Sequence, residues 1–582
     1  MMQFYDFEVF KHDWLVVIIN PFEESETVIV NDKEKLNDYY QQHKDQIWIG
    51  YNSRNYDQYI LKAILLGFDA KEVNDWIIVD GFKGWEFSSM FNKIPLLNYD
   101  CMDKYFSLKT LEGFMGNDMR ETSVPFDIDR KLTASEIADT IKYCEHDVQQ
   151  TMEVFLQTKA NFNAHMDLLK TFNLPLSNIS KTQAQLSAMA LGCVKKDWLD
   201  EWEYSIIDTL KIEKYKEVMK WFEQQKEEKN YDATLTMNVC GVPHQFGWGG
   251  LHGAIGEIIV NNSGKQIAKT TPVHRKGLLL HVDVTSFYPS IMIRYDMLSR
   301  NVQDKSVYKK IYDTRVALKK AGKKAEQAPY KIILNSTYGI CKDPTSSAYD
   351  PRRANEVCVN GQLLLLDLLE HLEGHCELIQ SNTDGLIIQI PDNDEAFDKV
   401  DDICFEWEQR TGMSLGFDVI TEIYQKDVNN YLFKFADGKV ERKGAWLKEL
   451  NNLDNDLPII NAALVAFMVD GVPIEKTIGD CNHLKEFQKI VKVSNKYICG
   501  WHNYQKLQDK TFRVFASKDQ DDTFIGKIKS KNGAEVIEKF GNTPDHCFIW
   551  NDEVNMVDVP PDLDKSYYIG IAKKRLQSFG VG

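Results

Sequence analysis

The chain of 582 residues is too long to fold around a single hydrophobic core, so several domains are expected. No apolar run reaches the roughly 18 residues that a membrane span requires, and the pattern of a secretory signal is absent. The net charge of −17 excludes a protein that coats nucleic acid with its whole surface, although an acidic enzyme can still bind DNA in one basic cleft. The eleven cysteines include no Cys-x-x-Cys pair, which favours reduced thiols and a cytoplasmic location.

The first 160 residues have the pattern of an α/β domain. A helix is predicted from Asp57, and a longer one over Thr133–Lys159, where Thr133 or Ser135 can cap the first turn. The predicted strands are Phe4–Phe10, Trp14–Ile19 and Ile47–Tyr51. The polar stretch 161–240 predicts a mostly helical bridge to the next domain.

The pattern changes after Gly277. A buried strand, Leu278–Val282, is followed by a helix that is predicted to begin after Pro289. The tight turn at 382–385 lies between two apolar segments and predicts a β-hairpin. The remaining predicted elements are two lysine-rich helices joined near Gly322, the second opening at Pro329, and a long helix over Asn355–Leu372.

Two aspartates of this region are suited to a metal-dependent centre. Asp283 follows the buried strand, and Asp384 occupies the hairpin turn. Two divalent cations can assist phosphoryl transfer, and they prefer oxygen ligands on rigid elements. Lys331, Asn335 and Tyr338 would share one face of a helix, from which a lysine can neutralise a triphosphate.

Each of these residues also has a simpler explanation when it is taken alone. An aspartate after a strand is usually a helix N-cap, an Asp-Gly pair is usually a turn, and a lysine-rich helix is usually a solvated surface. Only the joint occurrence of the segments in this order favours an active site.

A second set of carboxylates lies in the first 160 residues. Asp6 and Glu8 would point to one face of a strand, while Tyr143 and Asp147 would lie one turn apart on a helix. Asp57, which lies between these two pairs in the sequence, is the first residue of a predicted helix. Four carboxylates and a phenol are suited to two-metal hydrolysis, with Tyr143 orienting the attacking water. Any one of these acids alone would be explained as a surface residue.

Together, these segments resemble family B DNA polymerases that carry a proofreading exonuclease. The segments similar to polymerase motifs A, B and C are Asp283–Ser290, Lys331–Gly339 and Asn382–Gly385. The segments similar to the three exonuclease motifs are Asp6–Glu8, Asn52–Asp57 and Tyr143–Asp147.

The resemblance implies an α/β and α+β multidomain fold, in which an RNase H-like exonuclease domain is followed by a right-hand polymerase of palm, fingers and thumb. The implied divisions are 1–160 for the exonuclease, 161–245 for a helical bridge, 246–304 and 341–445 for the palm, 305–340 for the fingers, and 446–582 for the thumb and C-terminal region.

The resemblance also implies roles for individual residues. The implied catalytic residues and metal ligands are Asp283, Val284 and Asp384 in one site, and Asp6, Glu8, Asp57, Tyr143 and Asp147 in the other, with Tyr143 acting on water. The implied dNTP-binding residues are Ser286, Phe287, Tyr288, Arg315, Lys319, Lys331, Asn335, Tyr338 and Gly339. The implied DNA contacts are Asn52, Ser107, Leu108, Gly249, Gly250, Thr383 and Tyr431. Each site would hold two Mg²⁺ or Mn²⁺ ions, and the partners would be primer-template DNA, dNTPs, single-stranded DNA in the exonuclease site and replisome proteins, with no membrane.

The sequence departs from the family pattern at two places. Asn382 replaces the first aspartate of motif C, which we expect to weaken metal or primer-terminus binding without changing the reaction. The lysine of the family's Lys-x-Tyr primer contact is absent before Tyr431, although Lys426 is near. The glycine-rich segment 246–253 resembles a template-contacting segment, and it is also compatible with a plain glycine turn.

The expected function is therefore DNA-directed DNA synthesis from a primer, with 3′→5′ proofreading, in the replication of a phage or mobile element located in its host's cytoplasm. Short intervals between the motifs leave no room for the insertions of the protein-primed branch, so ordinary primer extension is expected.

Two alternatives stay open. One is an exonuclease whose polymerase half has become a DNA-binding module, as Asn382 would allow, and the other is a non-catalytic replication scaffold with an acidic surface.

Overall fold

The computed structural model describes residues 1–102, 106–119 and 121–581. The chain divides into two compact units, each built from several stretches of sequence. Unit 1 comprises Met1–Lys181, Leu450–Ile459 and Gly479–Tyr568, and unit 2 comprises Thr182–Glu449, Ile460–Ile478 and Ile569–Gly582. Both combine helices with β-sheets, so the predicted mixed α/β multidomain class is confirmed. Over the described ranges, no helix is long and apolar enough to cross a membrane.

The elements are numbered along the chain. Up to residue 181 they are β1 (Met2–Val9), β2 (Trp14–Asn20), β3 (Ser25–Val30), α1 (Lys33–His43), β4 (Ile47–Gly50), α2 (Asp57–Leu66), α3 (Ala70–Ile78), α4 (Gly84–Phe87), β5 (Leu97–Asp100), α5 (Leu108–Met115), α6 (Ala134–Gln157) and α7 (Lys159–Thr171). From 182 to 345 they are α8 (Gln183–Ala190), α9 (Lys216–Glu228), β6 (Leu235–Val239), β7 (Val242–Phe246), β8 (His252–Ala254), β9 (Gly256–Val260), β10 (Gln266–Thr270), β11 (Val273–Val284), α10 (Phe287–Arg294), α11 (Lys305–Lys320) and α12 (Lys324–Lys342).

The later elements complete both units. They are α13 (Pro351–Leu372), β12 (Glu377–Asn382), β13 (Gly385–Gln389), α14 (Asp394–Thr411), β14 (Leu415–Asp427), β15 (Asn430–Phe435), β16 (Val440–Lys443), α15 (Pro458–Asp470), α16 (Ile474–Asp480), β17 (Lys489–Lys492), β18 (Cys499–His502), β19 (Gln505–Leu507), β20 (Thr511–Ala516), β21 (Gly526–Lys531), β22 (Ala534–Lys539), β23 (Cys547–Ile549) and α17 (Lys565–Gln577).

The N-terminal sheet of unit 1 has the strand order β3-β2-β1-β4-β5. β1 lies at its centre, antiparallel to β2 and parallel to β4. Tyr5 and Phe7 of β1 pack with Trp48 in the hydrophobic core. Because side chains alternate along a strand, Asp6 and Glu8 project from the opposite face, which α6 covers.

The predicted cap of α6 is confirmed at Thr133. Thr133 Oγ1 accepts from the Glu136 N–H over 3.3 Å, while the Glu136 carboxylate accepts from the Thr133 N–H over 2.8 Å. This reciprocal capping box fixes where the helix begins. Cys144, in the middle of the same helix, contacts Asp6 of β1, and Phe155, near its end, packs against Phe4.

Unit 2 is organised around a sheet with the order β16-β15-β14-β11-β13-β12-β8-β7-β6. β11 pairs with both β13 and β14, and the predicted hairpin is formed by β12 and β13. The stretch 161–240 was predicted as mostly helical; it contains α7, α8 and α9, but 191–215 has no long regular element and β6 follows.

Two proline-based predictions of helix starts in unit 2 were wrong. Pro289 is the third residue of α10, where a missing N–H costs little because the first turn has no intrahelical acceptor. Pro329 lies inside α12, which already begins at Lys324. Both helices therefore begin earlier than the prolines indicate.

Candidate active sites

Unit 1 contains a cluster of four carboxylates on three elements, of which three are buried and that of Asp6 is half-buried. Asp6 and Glu8 project from β1, Asp57 begins α2, and Asp147 lies on α6. The main-chain N–H of Phe7 donates to Asp57 Oδ1 over 3.2 Å, which ties α2 to the central strand. The structure thus brings together all four acids that the sequence grouped, close enough for each to alter its neighbours' pKa values.

Ionisation of these carboxylates is disfavoured by burial and by their mutual repulsion. Burial is the largest cause of the raised pKa of Asp6, Glu8, Asp57 and Asp147, and repulsion from the other acids raises the pKa of Asp6 and Glu8 further. The pKa of Asp57 is raised to about 7. A divalent cation would remove this repulsion, and hard oxygen donors fit Mg²⁺ or Mn²⁺.

Helix α6 supplies two further groups next to the acids. Tyr143 lies one turn before Asp147, and burial followed by the neighbouring carboxylates raises the pKa of its phenol, so the hydroxyl stays protonated. Cys144 contacts Asp6, with Sγ 3.3 Å from the main-chain oxygen. Ligand atoms of Asp6, Glu8 and Cys144 lie within 4.8 Å of one another. Cys144 was not predicted, because a lone cysteine on a helix carries no motif.

A lysine of α5 enters the same cluster. Lys109 Nζ donates to Asp147 Oδ1 over 2.5 Å and to Glu112 Oε1 over 3.1 Å. His146 Nε2 lies 3.6 Å from Glu112 Oε2. Lys109 directly follows Ser107 and Leu108, two of the predicted DNA contacts. Its contact with Asp147 depends on the packing of α5 against α6 and could not be predicted from the sequence.

The predicted DNA contacts of unit 1 lie on the loop at Asn52 and at the start of helix α5, where Ser107 and Leu108 stand. Asn52 has a left-handed backbone with φ of 60°, and its N–H donates to Asp100 Oδ1 over 2.9 Å. Tyr51 donates its hydroxyl over 2.7 Å to the main chain immediately before Ser107. Ser107 caps α5, and the half-buried Leu108 is the first residue of that helix. Asp100, which holds the Asn52 turn, was missed by the sequence.

In unit 2 the ladder between β11 and β13 brings Asp283 and Asp384 together. Asp283 pairs with Gly385, and the Val284 N–H donates to the main-chain oxygen of Asp384 over 2.8 Å. A cavity of about 360 Å³ beside them is also lined by His281. The two aspartates therefore share one opening at the end of the sheet.

The electrostatics of this pair favour a cation. Burial, followed by Asp384 and Asp418, raises the pKa of Asp283 to about 6. Burial also raises the pKa of Asp384, although His281 and Lys443 oppose that rise. Two adjacent carboxylates with the Val284 main chain between them are a set of oxygen donors that fits Mg²⁺ or Mn²⁺.

The turn that carries Asp384 is held by specific contacts. Asn382 Nδ2 donates to the Val428 carbonyl over 2.8 Å, and Thr383 has a φ of 52°. Gly250 packs against this turn so closely that a Cβ there would lie 2.4 Å from Thr383 Oγ1. Gly250 is thus required by close packing, whereas a Cβ on Gly249 would meet open space.

The residues predicted to bind the nucleotide lie on three helices. Ser286 precedes α10 with a φ of 49°, and its Oγ accepts from Arg315 Nη1 over 3.0 Å. Phe287 is buried at the start of α10. The rings of Tyr288 and Tyr338 lie 4.7 Å apart, which joins α10 to α12.

The other predicted nucleotide contacts face solvent. Lys319 is exposed on α11 and lowers the pKa of Asp283. Lys331, Asn335 and Gly339 are exposed on α12. Among the described hydrogen bonds and ion pairs, none joins Lys331 or Asn335 to the two aspartates.

Tyr431 lines the same cavity as the aspartates. Its hydroxyl donates to Glu441 Oε1 over 3.1 Å, and Lys443 Nζ lies 5.7 Å from its ring centroid. Lys443 is the cross-strand partner of Tyr431, so β16 places a lysine beside the tyrosine that lacks the preceding lysine of the Lys-x-Tyr pattern. Glu441 and His281 were missed, because neither has a motif and both depend on strand register.

Comparisons with known proteins identify no family for this chain. No protein-family model matches this sequence, and no curated protein matches it. One similar solved structure is that of the family B DNA polymerase from the hyperthermophilic archaeon Pyrobaculum calidifontis. The two are 13% identical with a TM-score of 0.42, over 100% of this chain and 78% of the other.

Proposed function

We propose that this chain is a DNA-directed DNA polymerase that extends a primer 3′-OH and proofreads with a 3′→5′ exonuclease in a separate site. The observation that carries this proposal is the presence of two distinct carboxylate centres, one in each unit. Asp283 and Asp384 form the first, and the four acids around Asp57 form the second. The order of the sequence motifs supplies the reaction class.

In unit 2, cations bound by Asp283, Asp384 and the Val284 carbonyl would activate the primer hydroxyl and neutralise charge on the leaving pyrophosphate. Arg315, which donates to Ser286 Oγ, would meet the triphosphate as a fixed cation. Tyr288 would lie under the sugar and exclude a ribose 2′-OH, since its ring is wedged between α12 and α13.

In unit 1, a cation bound by Asp6, Glu8 and Asp57 would polarise the scissile phosphodiester and its attacking water. Tyr143 keeps its proton and orients that water. The turn at Asn52 and the cap at Ser107 would receive the single-stranded end. Chemistry of this kind removes a terminal nucleotide and leaves a 3′-OH for renewed synthesis.

The decisive experiment separates the two centres. Asp384→Asn should abolish extension of a primed template while single-strand degradation continues, and Asp57→Asn should do the reverse. Both variants keep side-chain volume, and melting curves would establish that they fold. Loss of both activities in either folded variant would contradict the assignment of two sites.

A second candidate is an exonuclease whose polymerase half only binds DNA. The observation that favours it is Asn382, whose amide is bound to Val428 in place of a second motif C acid. Extension by the Asp57→Asn variant, given dNTPs and Mg²⁺, would exclude this candidate. We further propose replication of a phage or mobile element from ordinary primers.

A further inference from the structure

Lys109 stands as a fixed positive charge inside the carboxylate cluster of unit 1. Its ammonium is bonded to both Asp147 and Glu112, and the residue is only 9% exposed. An ammonium that donates to two carboxylates at once forms an ion pair on both sides, so it brings a positive charge into the middle of these acids.

Glu112 explains why the ammonium stays in place. Its side chain is fully buried on α5, one turn after Lys109, and it lies outside the acids assigned to the cation. A buried carboxylate without a partner would be costly. Lys109 is thus held by one acid and directed at another, Asp147.

We propose that Lys109 supplies one of the positive charges of this centre, so that unit 1 binds a single divalent cation on Asp6, Glu8 and Asp57 while the ammonium neutralises Asp147. The inference rests on the proposed exonuclease function. An ammonium 2.5 Å from Asp147 Oδ1 occupies one of the two oxygens that this carboxylate could offer a second cation, and it repels such a cation through a poorly solvated site.

The same ammonium positions the phenol of the centre. Lys109 Nζ lies 4.7 Å from the ring centroid of Tyr143, in the range of a cation–π contact. One lysine on α5 thereby fixes both the acid and the phenol that face it from α6. Lys109 is a positioning residue in this scheme.

The test counts bound Mn²⁺ by electron paramagnetic resonance during titration. The parent protein carries Asp283→Asn and Asp384→Asn, so that unit 2 does not contribute. The count that belongs to unit 1 is the part that disappears when Asp6→Asn and Glu8→Gln are added. We expect one Mn²⁺ per chain in the parent and two in Lys109→Met.

Lys142→Met is the matched control, since it removes the same charge from an exposed position of α6, and its count should stay at one. If Lys109→Met fails to fold, Lys109→Met combined with Glu112→Gln removes the buried pair together and should also bind two. A parent count of zero or two overturns the proposal, as does an unchanged count in a folded Lys109 variant.

Failure of this inference is distinguishable from failure of the proposed function. Degradation of single-stranded DNA that depends on Asp57 tests the function alone. A parent that degrades DNA with two bound ions refutes the lysine scheme and keeps the exonuclease. A parent that binds one ion and degrades nothing refutes the exonuclease.

Discussion

Asn382 and Val428 are joined by a hydrogen bond of 2.8 Å, in which the side-chain amide donates to the main-chain carbonyl. The side chain of an aspartate at position 382 has no N–H to donate, and its carboxylate would repel that carbonyl oxygen. It would also add a charge beside Asp384. The neutral amide is therefore part of how this turn is held.

We expect Asn382→Asp to lower primer extension, although it restores the family's usual acid. Loss of this part-buried hydrogen bond costs about 1–3 kcal/mol, which corresponds to roughly a 5- to 150-fold decrease if the turn's geometry is what catalysis requires. Steady-state extension is measured in an Asp57→Asn background that removes degradation. Asn429→Asp places the same charge in the exposed part of the adjacent turn and should leave the rate nearly unchanged. A faster Asn382→Asp enzyme would contradict this account.

Gly361 leaves just enough room for Tyr288. A Cβ on Gly361 would lie 3.2 Å from Tyr288 Cε1, so Gly361→Ala must push the ring by a few tenths of an ångström. We expect kcat/KM for dNTP insertion to fall by about fivefold, since mild overpacking costs about 1 kcal/mol. Single-nucleotide insertion kinetics provide the measurement. Gly570→Ala, in helix α17, meets open space and serves as the control; equal losses in both variants would refute the role of ring placement.

The stability of unit 1 without divalent cations should fall as the pH rises. Asp57 has a pKa of about 7 in the folded chain against an ordinary 3.8, so the folded state keeps a proton that the unfolded state releases. The stabilisation is complete below about pH 4 and is lost as the pH passes through 7. Each unit of pKa difference corresponds to about 1.4 kcal/mol.

This dependence is measured by denaturant unfolding in EDTA between pH 5 and 8. Asp57→Asn should flatten the slope, and Mg²⁺ should restore stability at pH 8 because it replaces the proton. A stability that rises with pH in EDTA, or an identical slope in the variant, would contradict the repulsion described for these acids.

Arg513 is fully buried and holds α5 from a distant part of the sequence. Its guanidinium donates to Gln488 Oε1 and to the carbonyls of Gly113, Asn117 and Asp552. Burial lowers its pKa to about 10, which leaves it charged at neutral pH. We expect Arg513→Met to destabilise unit 1 by about 3–5 kcal/mol, because the carbonyls lose their donors.

Limited proteolysis and single-strand degradation report this loss. Cleavage should appear first in unit 1, with degradation of DNA failing before primer extension does. Arg130→Met removes an arginine of an exposed ion pair in the same unit and should change neither readout. Equal protease resistance of the Arg513 variant and the parent would refute the clamp.

Local signals in the sequence predicted much of the fold. The capping box at Thr133 and the turn around Asp384 could both be predicted from the sequence, because each depends on neighbours within a few residues. The carboxylate positions were readable for the same reason, since alternation on a strand and spacing on a helix place side chains on one face.

Contacts that depend on strand register, or on packing between elements distant in the sequence, could not be predicted from the sequence. Lys443 meets Tyr431 only through the pairing of β15 with β16. Lys109 meets Asp147 only because α5 packs against α6. The helix start placed at Pro289 was wrong because a proline is tolerated in the first turn, and the start placed at Pro329 was wrong because α12 begins earlier and continues through its proline.

The clamp on α5 also constrains the order in which the protein can fold during synthesis. Arg513 and its acceptor Gly113 are 400 positions apart. When the first 181 residues leave the ribosome, the strand that completes their unit has not yet been made, whereas residues 182–449 provide most of unit 2 without interruption. The unit that begins the chain therefore cannot be completed before residues 479–568 are made, and a nascent chain stopped after residue 449 would carry residues 1–181 without Arg513.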